Sequence, residues 1–254
     1  MPRNRLALPA TKEKIAKLVV LGAVSSTNDY VKEHIRELDP FSLVVTDNQT
    51  NGRGRQGRSW VSRRGEGLAL SLVVPLPPSS GLSWLPLVAG ACLVHALRAH
   101  GVAGASLKWP NDVLVNNRKL AGVLCETVGE GCGVVGVGIN ISFPPEIPPS
   151  PHATALDLVL DGGASNLDPV VSVFVAQLMA WLTQTNNEQV SQAKELTERV
   201  MGTLGAEVKV IDMTGESWRG FAESLDQSGH LLVREEGARS LRTVIASDIE
   251  HLRQ

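Results

Sequence analysis

The chain has 254 residues, 20% of them charged and 43% hydrophobic, with a formal net charge of −2, which allows one large domain or a large domain with a small companion. A sequence pI near 6.3 argues against a general nucleic-acid coat or a polybasic membrane anchor. No window approaches the roughly eighteen apolar residues of a membrane span, the polar N-terminus carries no signal-peptide core, and Cys92, Cys125 and Cys132 lack CxxC spacing, so a cytosolic protein without disulfides or a zinc site is expected.

In chain order, residues 18–21 read as a strand running into Ser25-Ser26-Thr27-Asn28-Asp29. Tyr30, Val31, Ile35 and Leu38 then recur at helical spacing, and Ser26 with Asp29 fits a capping box. A helix start of this kind also presents free N–H groups to a ligand. Residues 41–45 form a strand that leads into Gln49-Thr50-Asn51-Gly52-Arg53-Gly54-Arg55-Gln56-Gly57-Arg58-Ser59-Trp60. With Arg63 and Arg64 just beyond, positive charge is concentrated here in a nearly neutral protein, a pattern that suits a small bound anion. The stretch from Gly52 to Gly57 matches GxGxxG, but the next element is another strand, 68–74, and no crossover helix follows. Gly131 to Gly136 matches too, yet precedes a strand, so neither supports a dinucleotide fold.

Residues 84–97 have the length and spacing of a buried helix. Lys108-Trp109-Pro110-Asn111-Asp112 follows, then Val113-Leu114-Val115, Asn116-Asn117 and Arg118-Lys119-Leu120-Ala121-Gly122. Asn-Asn tolerates positive φ, so 113–115 and 120–124 pair as an antiparallel hairpin. In that register Leu114 lies opposite Lys119 on one face, which makes Lys119 a fixed cation beside apolar neighbours. Residues 134–143 alternate glycine with apolar residues as a strand would, and Pro144-Pro145, Pro148-Pro149 and Pro151 mark an extended crossing loop. Asp168-Pro169 has the N-cap and N1 signature of a helix carrying Val171, Phe174, Leu178 and Trp181 inward. A second helix spans 188–200. Beyond Gly202 and Gly205 the pattern changes to short strands at 207–211, 218–225, 231–234 and 243–246, which read as a small β-barrel. The six histidines are scattered without ligand spacing.

Four of these segments, in this order, resemble the motifs of biotin protein ligases: Ser25 to Asn28 the SSTN motif, Gln49 to Trp60 the glycine- and arginine-rich loop, Lys108 to Asp112 with Arg118 to Gly122 the KWPND and RKLAG blocks, and Gly136-Val137-Gly138-Ile139-Asn140 the GxGIN strand. Only roughly two dozen residues precede Ser25, too few for a winged helix-turn-helix, so the resemblance is to the type lacking an N-terminal DNA-binding domain. It implies an α+β fold: a mixed β-sheet flanked by helices over residues 1–200, and an SH3-like β-barrel over 201–254. It also implies ATP-dependent joining of biotin, through biotinyl-5'-AMP, to a lysine of the biotin carboxyl carrier protein of an acyl-CoA carboxylase.

For the site, the resemblance implies that Ser26, Thr27, Asn28, Gln49, Arg53, Gly54, Arg55, Lys119 and Gly122 hold biotin. It assigns Arg55, Arg58, Trp60, Lys108, Asn111, Asp112 and Asn140 to ATP or the adenylate, and Asp112 to Mg²⁺. Lys119 and Arg55 are the expected catalytic side chains, because a carboxylate attacking the α-phosphate needs fixed cations to offset the charge that gathers at phosphorus. Alternatives stand beside several of these. Lys108 either meets ATP phosphates or caps the hairpin, Trp60 either stacks on adenine or anchors the core, and Asp112 either serves the nucleotide or caps a turn. ATP, Mg²⁺ and biotin are the expected small-molecule partners, with no tightly bound prosthetic group, no nucleic acid and no membrane; a homodimer is compatible with the sequence. The rival activities are a lipoate or octanoate ligase or transferase of the same fold and, more weakly, a biotin-sensing transcriptional repressor.

Overall fold

The computed structural model describes residues 6–129, 131–143, 151–184, 188–212, 214–245 and 247–252. The expected proline-rich crossing at 144–149, the first five residues and the end of the strand predicted at 243–246 lie outside them. The elements run α1 (Pro9–Lys12), β1 (Lys17–Val20), α2 (Thr27–Glu33), β2 (Ser42–Thr46), the short β3 (Gly52–Arg53) and β4 (Ser59–Trp60), β5 (Gly67–Pro75), α3 (Ser79–Leu82) and α4 (Leu85–Ala99). Then come β6 (Ala105–Lys108), β7 (Asp112–Val115), β8 (Arg118–Thr127), β9 (Cys132–Asn140), α5 (Leu156–Val159), α6 (Leu167–Leu182) and α7 (Gln189–Glu198). The last strands are β10 (Glu207–Ile211), β11 (Ser217–Leu225), β12 (Leu231–Glu235), β13 (Leu241–Val244) and β14 (Asp248–His251).

Seven strands form one sheet in the order β1-β2-β5-β9-β8-β7-β6. Only β1 and β2 run parallel; the other pairings are antiparallel, so the sheet is mixed, as expected. The alternation of side chains sorts its two faces. Leu68, Leu70, Leu72 and Val74 of β5 and Val135, Val137 and Ile139 of β9 enter the main core, together with α4 and the Val171, Phe174, Leu178 and Trp181 stripe of α6. The opposite face carries a smaller cluster in which Val31 of α2 meets Val44, Val73 and Val134. The helical spacing read from Tyr30 to Leu38 belongs to two pieces, because α2 stops at Glu33 and a separate 3-10 turn covers Ile35–Glu37; Pro40 disfavours helical backbone at Asp39 just beyond.

Asp168 does not cap its own helix, since α6 already begins at Leu167. Its carboxylate instead accepts the N–H groups of Ala10 (2.8 Å) and Thr11 (3.0 Å) and the Thr11 hydroxyl (2.8 Å). These are otherwise unpaired donors of the first turn of α1, whose preceding residue supplies no side-chain cap.

Residues beyond Gly205 form a five-stranded antiparallel sheet in the order β13-β12-β11-β10-β14. Sequence reading missed its edge strand β14. Among the described residues β13 and β14 are not paired with each other, so the expected small barrel is present as an open sheet. Its inner residues Val208, Val210, Leu231 and Val233 belong to the same buried cluster as the large sheet, and the indoles of Trp84 and Trp109 donate to the carbonyls of Gln227 (2.8 Å) and Gly229 (3.0 Å) in its β11–β12 turn. Among the described residues no helix is long and apolar enough to cross a membrane. Replacing Asp168 by alanine should lower stability by about 1–2 kcal/mol, the usual size of a lost helix cap, read as a lower urea midpoint at unchanged slope.

Candidate active site

A cavity of about 320 Å³ opens on the sheet face turned away from α4 and α6, within the range of small-molecule sites. Its floor is β5, β9 and β8, its roof the hairpin of β3 and β4, and its far wall Ile211, Asp248, Ile249 and Glu250 of the small sheet. Of the residues expected at a site, Ser26, Thr27, Asn28, Gln49, Arg53, Gly54, Arg55, Arg58, Trp60, Lys108, Asn111, Asp112, Lys119 and Gly122 all line it. Asn140 does not. Its amide donates to the carbonyls of Lys119 (3.2 Å) and Thr154 (3.1 Å), so in this structure it fastens the strand that bears Lys119.

One end of the cavity is polar and organised by the start of α2. Ser26 is the N-cap, its hydroxyl accepting from the Asp29 N–H at 3.4 Å. The other half of a capping box is not made; the Asp29 carboxylate turns outward to pair with Arg53. Gln49 accepts the Thr27 N–H at 2.9 Å. Ser71 Oγ lies 2.6 Å from Asn28 Oδ1, and Asn28 donates to Leu124 O (3.2 Å) and Glu126 Oε2 (2.8 Å). The glycine alternation of β9 has its reason here. A Cβ at Gly136 would fall 2.3 Å from Asn28 Oδ1, and one at Gly138 would fall 2.5 Å from the Trp60 ring, so both side chains occupy space that any other residue would fill.

The other end is cationic, and a β-bulge builds it. Asn116 and Asn117 both take positive φ, 49° and 62°, closing the hairpin with Leu114 opposite Lys119, but the next pair is Val113 with Ala121, which leaves Leu120 as an extra residue. Leu120 and Ala121 both enter the core, and Lys119 and Gly122 are thereby turned to the same face. Lys119 Nζ pairs with Asp112 at 2.7 Å and lies 5.7 Å from the Trp60 ring centroid. Burial lowers the pKa of Lys108, with Asp112 opposing that shift and Lys119 adding to it.

The arginines divide. Arg53 is paired with Asp29 and Glu126. Arg58 reaches Asp248 of β14 at 2.6 Å. Arg55 sits on the 3-10 turn Arg55–Gly57 at the hairpin tip, its pKa lowered by burial and raised in part by Asp248, and its buried Nη1 has no hydrogen-bond partner among the described residues.

Sequence reading missed Glu126, Thr203, Asp248 and His251. Thr203 Oγ1 accepts the Trp109 N–H at 2.9 Å and stands within hydrogen-bond distance, 3.0 Å, of His251 Nε2. Burial, helped by Lys108, lowers the His251 pKa to about 4, so the imidazole is neutral near pH 7. The relay fixes the backbone between Lys108 and Asn111, whose amide in turn donates to Val123 O at 2.7 Å. Because His251 binds its proton more weakly folded than unfolded, stability is intact above the unfolded value of 6.5 and falls as pH drops toward about 4. By pH 5 the loss should be on the order of 1 kcal/mol, after discounting for the part of the ring that solvent screens. Urea titrations at pH 7 and pH 5 should show this loss in the native chain and a smaller one in His251→Gln, whose amide does not titrate and can still hydrogen-bond Thr203.

A family model described as the biotin/lipoate A/B protein ligase family matches residues 20–140. The biotin–[acetyl-CoA-carboxylase] ligase of Mycobacterium tuberculosis is 35% identical over 83% of this chain and 79% of its own length. The bifunctional ligase/repressor BirA of Escherichia coli is 29% identical over 87% of this chain and 70% of its own. Among solved structures, the biotin protein ligase of Aquifex aeolicus in complex with biotin and ATP superposes with a TM-score of 0.74 at 28% identity, covering 93% of this chain and all of that one.

Proposed function

The chain belongs to the biotin protein ligases within the biotin/lipoate A/B protein ligase family, and on that premise we propose that its cavity binds biotin and ATP, joins them as biotinyl-AMP and delivers biotin to a carboxyl carrier protein. The observation that carries this reading is the polarity of the cavity, with neutral donors and acceptors at the α2 end and cations at the hairpin end. A ureido ring presents both N–H groups and a carbonyl, which hydroxyls and amides such as those of Ser26, Thr27, Asn28 and Gln49 can match. Its valerate chain would then run over Gly122 toward Lys119 and Arg55.

In the first step a biotin carboxylate oxygen bonds to the α-phosphorus of ATP as the bond to the bridging oxygen breaks and pyrophosphate leaves. Both reactants are anionic, so fixed positive charge has to grow in effect as charge gathers at phosphorus. Arg55 suits this because its buried Nη1 is unpaired among the described residues, so meeting an anion costs it no existing hydrogen bond. Lys119 is held in place by Asp112, and phosphate oxygens would compete with that carboxylate for the ammonium. Lys108 reads better as a phosphate contact than as a hairpin cap, because it lines the cavity. Trp60, packed on Gly138 and Gly122, fits an adenine-stacking role. ATP would arrive as its Mg²⁺ complex, and since Mg²⁺ binds through phosphates and one or two carboxylates, Asp112 is the side chain to complete its shell. In the second step the neutral amine of a carrier lysine attacks the acyl carbon, the bond to AMP breaks, and the amide forms as the amine gives up one proton to solvent and AMP leaves. We take 1–200 as the catalytic domain and 201–254 as a second one that lends Asp248, Ile249 and Glu250 to the site.

Incubating the protein with ATP, Mg²⁺, a carrier domain and either biotin or lipoate, then weighing the carrier, tests the reading. Mass addition with biotin is expected, and addition with lipoate alone would replace it with the rival transferase. Lys119→Ala should slow biotin-dependent pyrophosphate release by about 10²–10³ with little change in thermal midpoint, and Lys119→Arg should recover little, since a planar fork does not replace a compact ammonium. Normal adenylation with failed transfer from pre-formed biotinyl-AMP would move Lys119 to the second step.

A further inference from the structure

We infer that Glu126, with Asp29, is a positioning residue for this reaction: the two carboxylates clamp Arg53 and so set how firmly the β3–β4 hairpin stays closed over the adenylate. The inference rests on the function proposed above. Neither carboxylate lines the cavity, so neither can act on substrate directly. Glu126 stands near the far end of β8 with its side chain 21% exposed. Its Oε1 takes Lys32 Nζ at 2.6 Å, and its Oε2 takes the Asn28 amide at 2.8 Å and Arg53 Nη2 at 3.4 Å; Asp29 closes the group by pairing with the same Arg53 nitrogen. One carboxylate thus joins the polar end of the cavity, through Asn28, to the root of its roof, through Arg53.

The hairpin has a second fastening, Arg58 to Asp248 at 2.6 Å, but there the arginine is 58% exposed. Exposed pairs contribute little and are screened by salt. At the first fastening Arg53 is 38% exposed but its carboxylates are more covered, Glu126 being 21% exposed, and Glu126 holds Lys32, Asn28 and Arg53 together, so the network contributes more. The carboxyl of Glu126 is also held ionised. Burial alone would raise its pKa, but hydrogen bonds from Lys32 and Asn28 and the charges of Lys32 and Arg53 bring it below the ordinary value of 4.5. Between β3 and β4 the ladder has only two residue pairs, Gly52 with Trp60 and Arg53 with Ser59, too few to hold the hairpin closed without side-chain ties.

Glu126→Gln keeps the volume and the oxygen that meets Asn28 while removing the charge; Asp29→Asn is the second variant should the first fail to fold. Two readouts are taken with thermal melts alongside: trypsin cleavage after Arg55 and Arg58 in the ligand-free protein, and the escape of pre-formed labelled biotinyl-AMP. Each should rise about tenfold, the size of one lost charge-assisted hydrogen bond. In an Arg53→Leu background the same Glu126→Gln change should add nothing to the escape rate, because its partner is already gone. A folded variant with unchanged cleavage and escape would overturn the inference, and so would equal acceleration in both backgrounds, which would mean that Glu126 acts through α2. Cleavage needs no substrate, so it still reads the clamp if the wild type releases no biotin-dependent pyrophosphate, an outcome that would defeat the functional reading instead.

Discussion

Three glycines on one face of the seven-stranded sheet, Gly122, Gly136 and Gly138, set the depth of the cavity, because they let side chains from elsewhere rest on bare backbone. Asn28 comes from a helix start, Trp60 from the roof and Lys119 from beyond the bulge on β8, and each ends within contact of a missing Cβ. The opposite face of the same strands is packed with Leu and Val against α4 and α6. That packing makes the floor rigid, since a close-packed core resists local yielding. A shallow polar surface would offer a ligand little burial; here the floor is recessed by the depth of a side chain.

Charge is arranged by the same economy of contacts. Five cations line the cavity, and four of them differ plainly in what already holds them: Arg53 has two carboxylates, Lys119 and Arg58 one each, and the buried Nη1 of Arg55 none among the described residues. A buried donor left unpaired costs roughly 1–3 kcal/mol, while an exposed pair such as Arg58 with Asp248 is worth under about 1 kcal/mol. Of these four, Arg55, through its Nη1, therefore has most to gain from an anion. The paired ones serve first as geometry.

The elements that follow local rules were legible in the sequence. Residues 113–124 gave a hairpin with the Leu114–Lys119 pairing intact, because an Asn-Asn turn and alternating apolar residues are local signals, and the alternation in Gly136-Val137-Gly138 marked a strand with one face to fill. The bulge was not read, although the consecutive apolar pair Leu120-Ala121 breaks the period of two. What stayed hidden depends on partners far apart in the chain. Asp168 looked like the cap of its own helix and serves one more than 150 residues away; Asp29 looked like half of a capping box and pairs with Arg53. Glu126, Thr203 and His251 carry no motif, and only folding brings them against the residues that line the cavity, Asn28 and Arg53 for Glu126 and Trp109 for the Thr203–His251 pair. The strand Asp248–His251 was missed because its four residues are too few to establish a pattern.

The two indole N–H groups that end on the β11–β12 turn bear on how freely the small sheet could be exchanged. Trp84 and Trp109 are almost wholly buried, and each has its nitrogen aimed at a carbonyl of the other sheet. A foreign module grafted after Gly205 would have to present two acceptors at those points, or leave two desolvated donors beside the cavity. Shape alone would not make a transplant compatible. Any chimera that retained these tryptophans would be selected first on the backbone path of a turn lying outside the catalytic cavity, and only afterwards on the residues that touch a substrate.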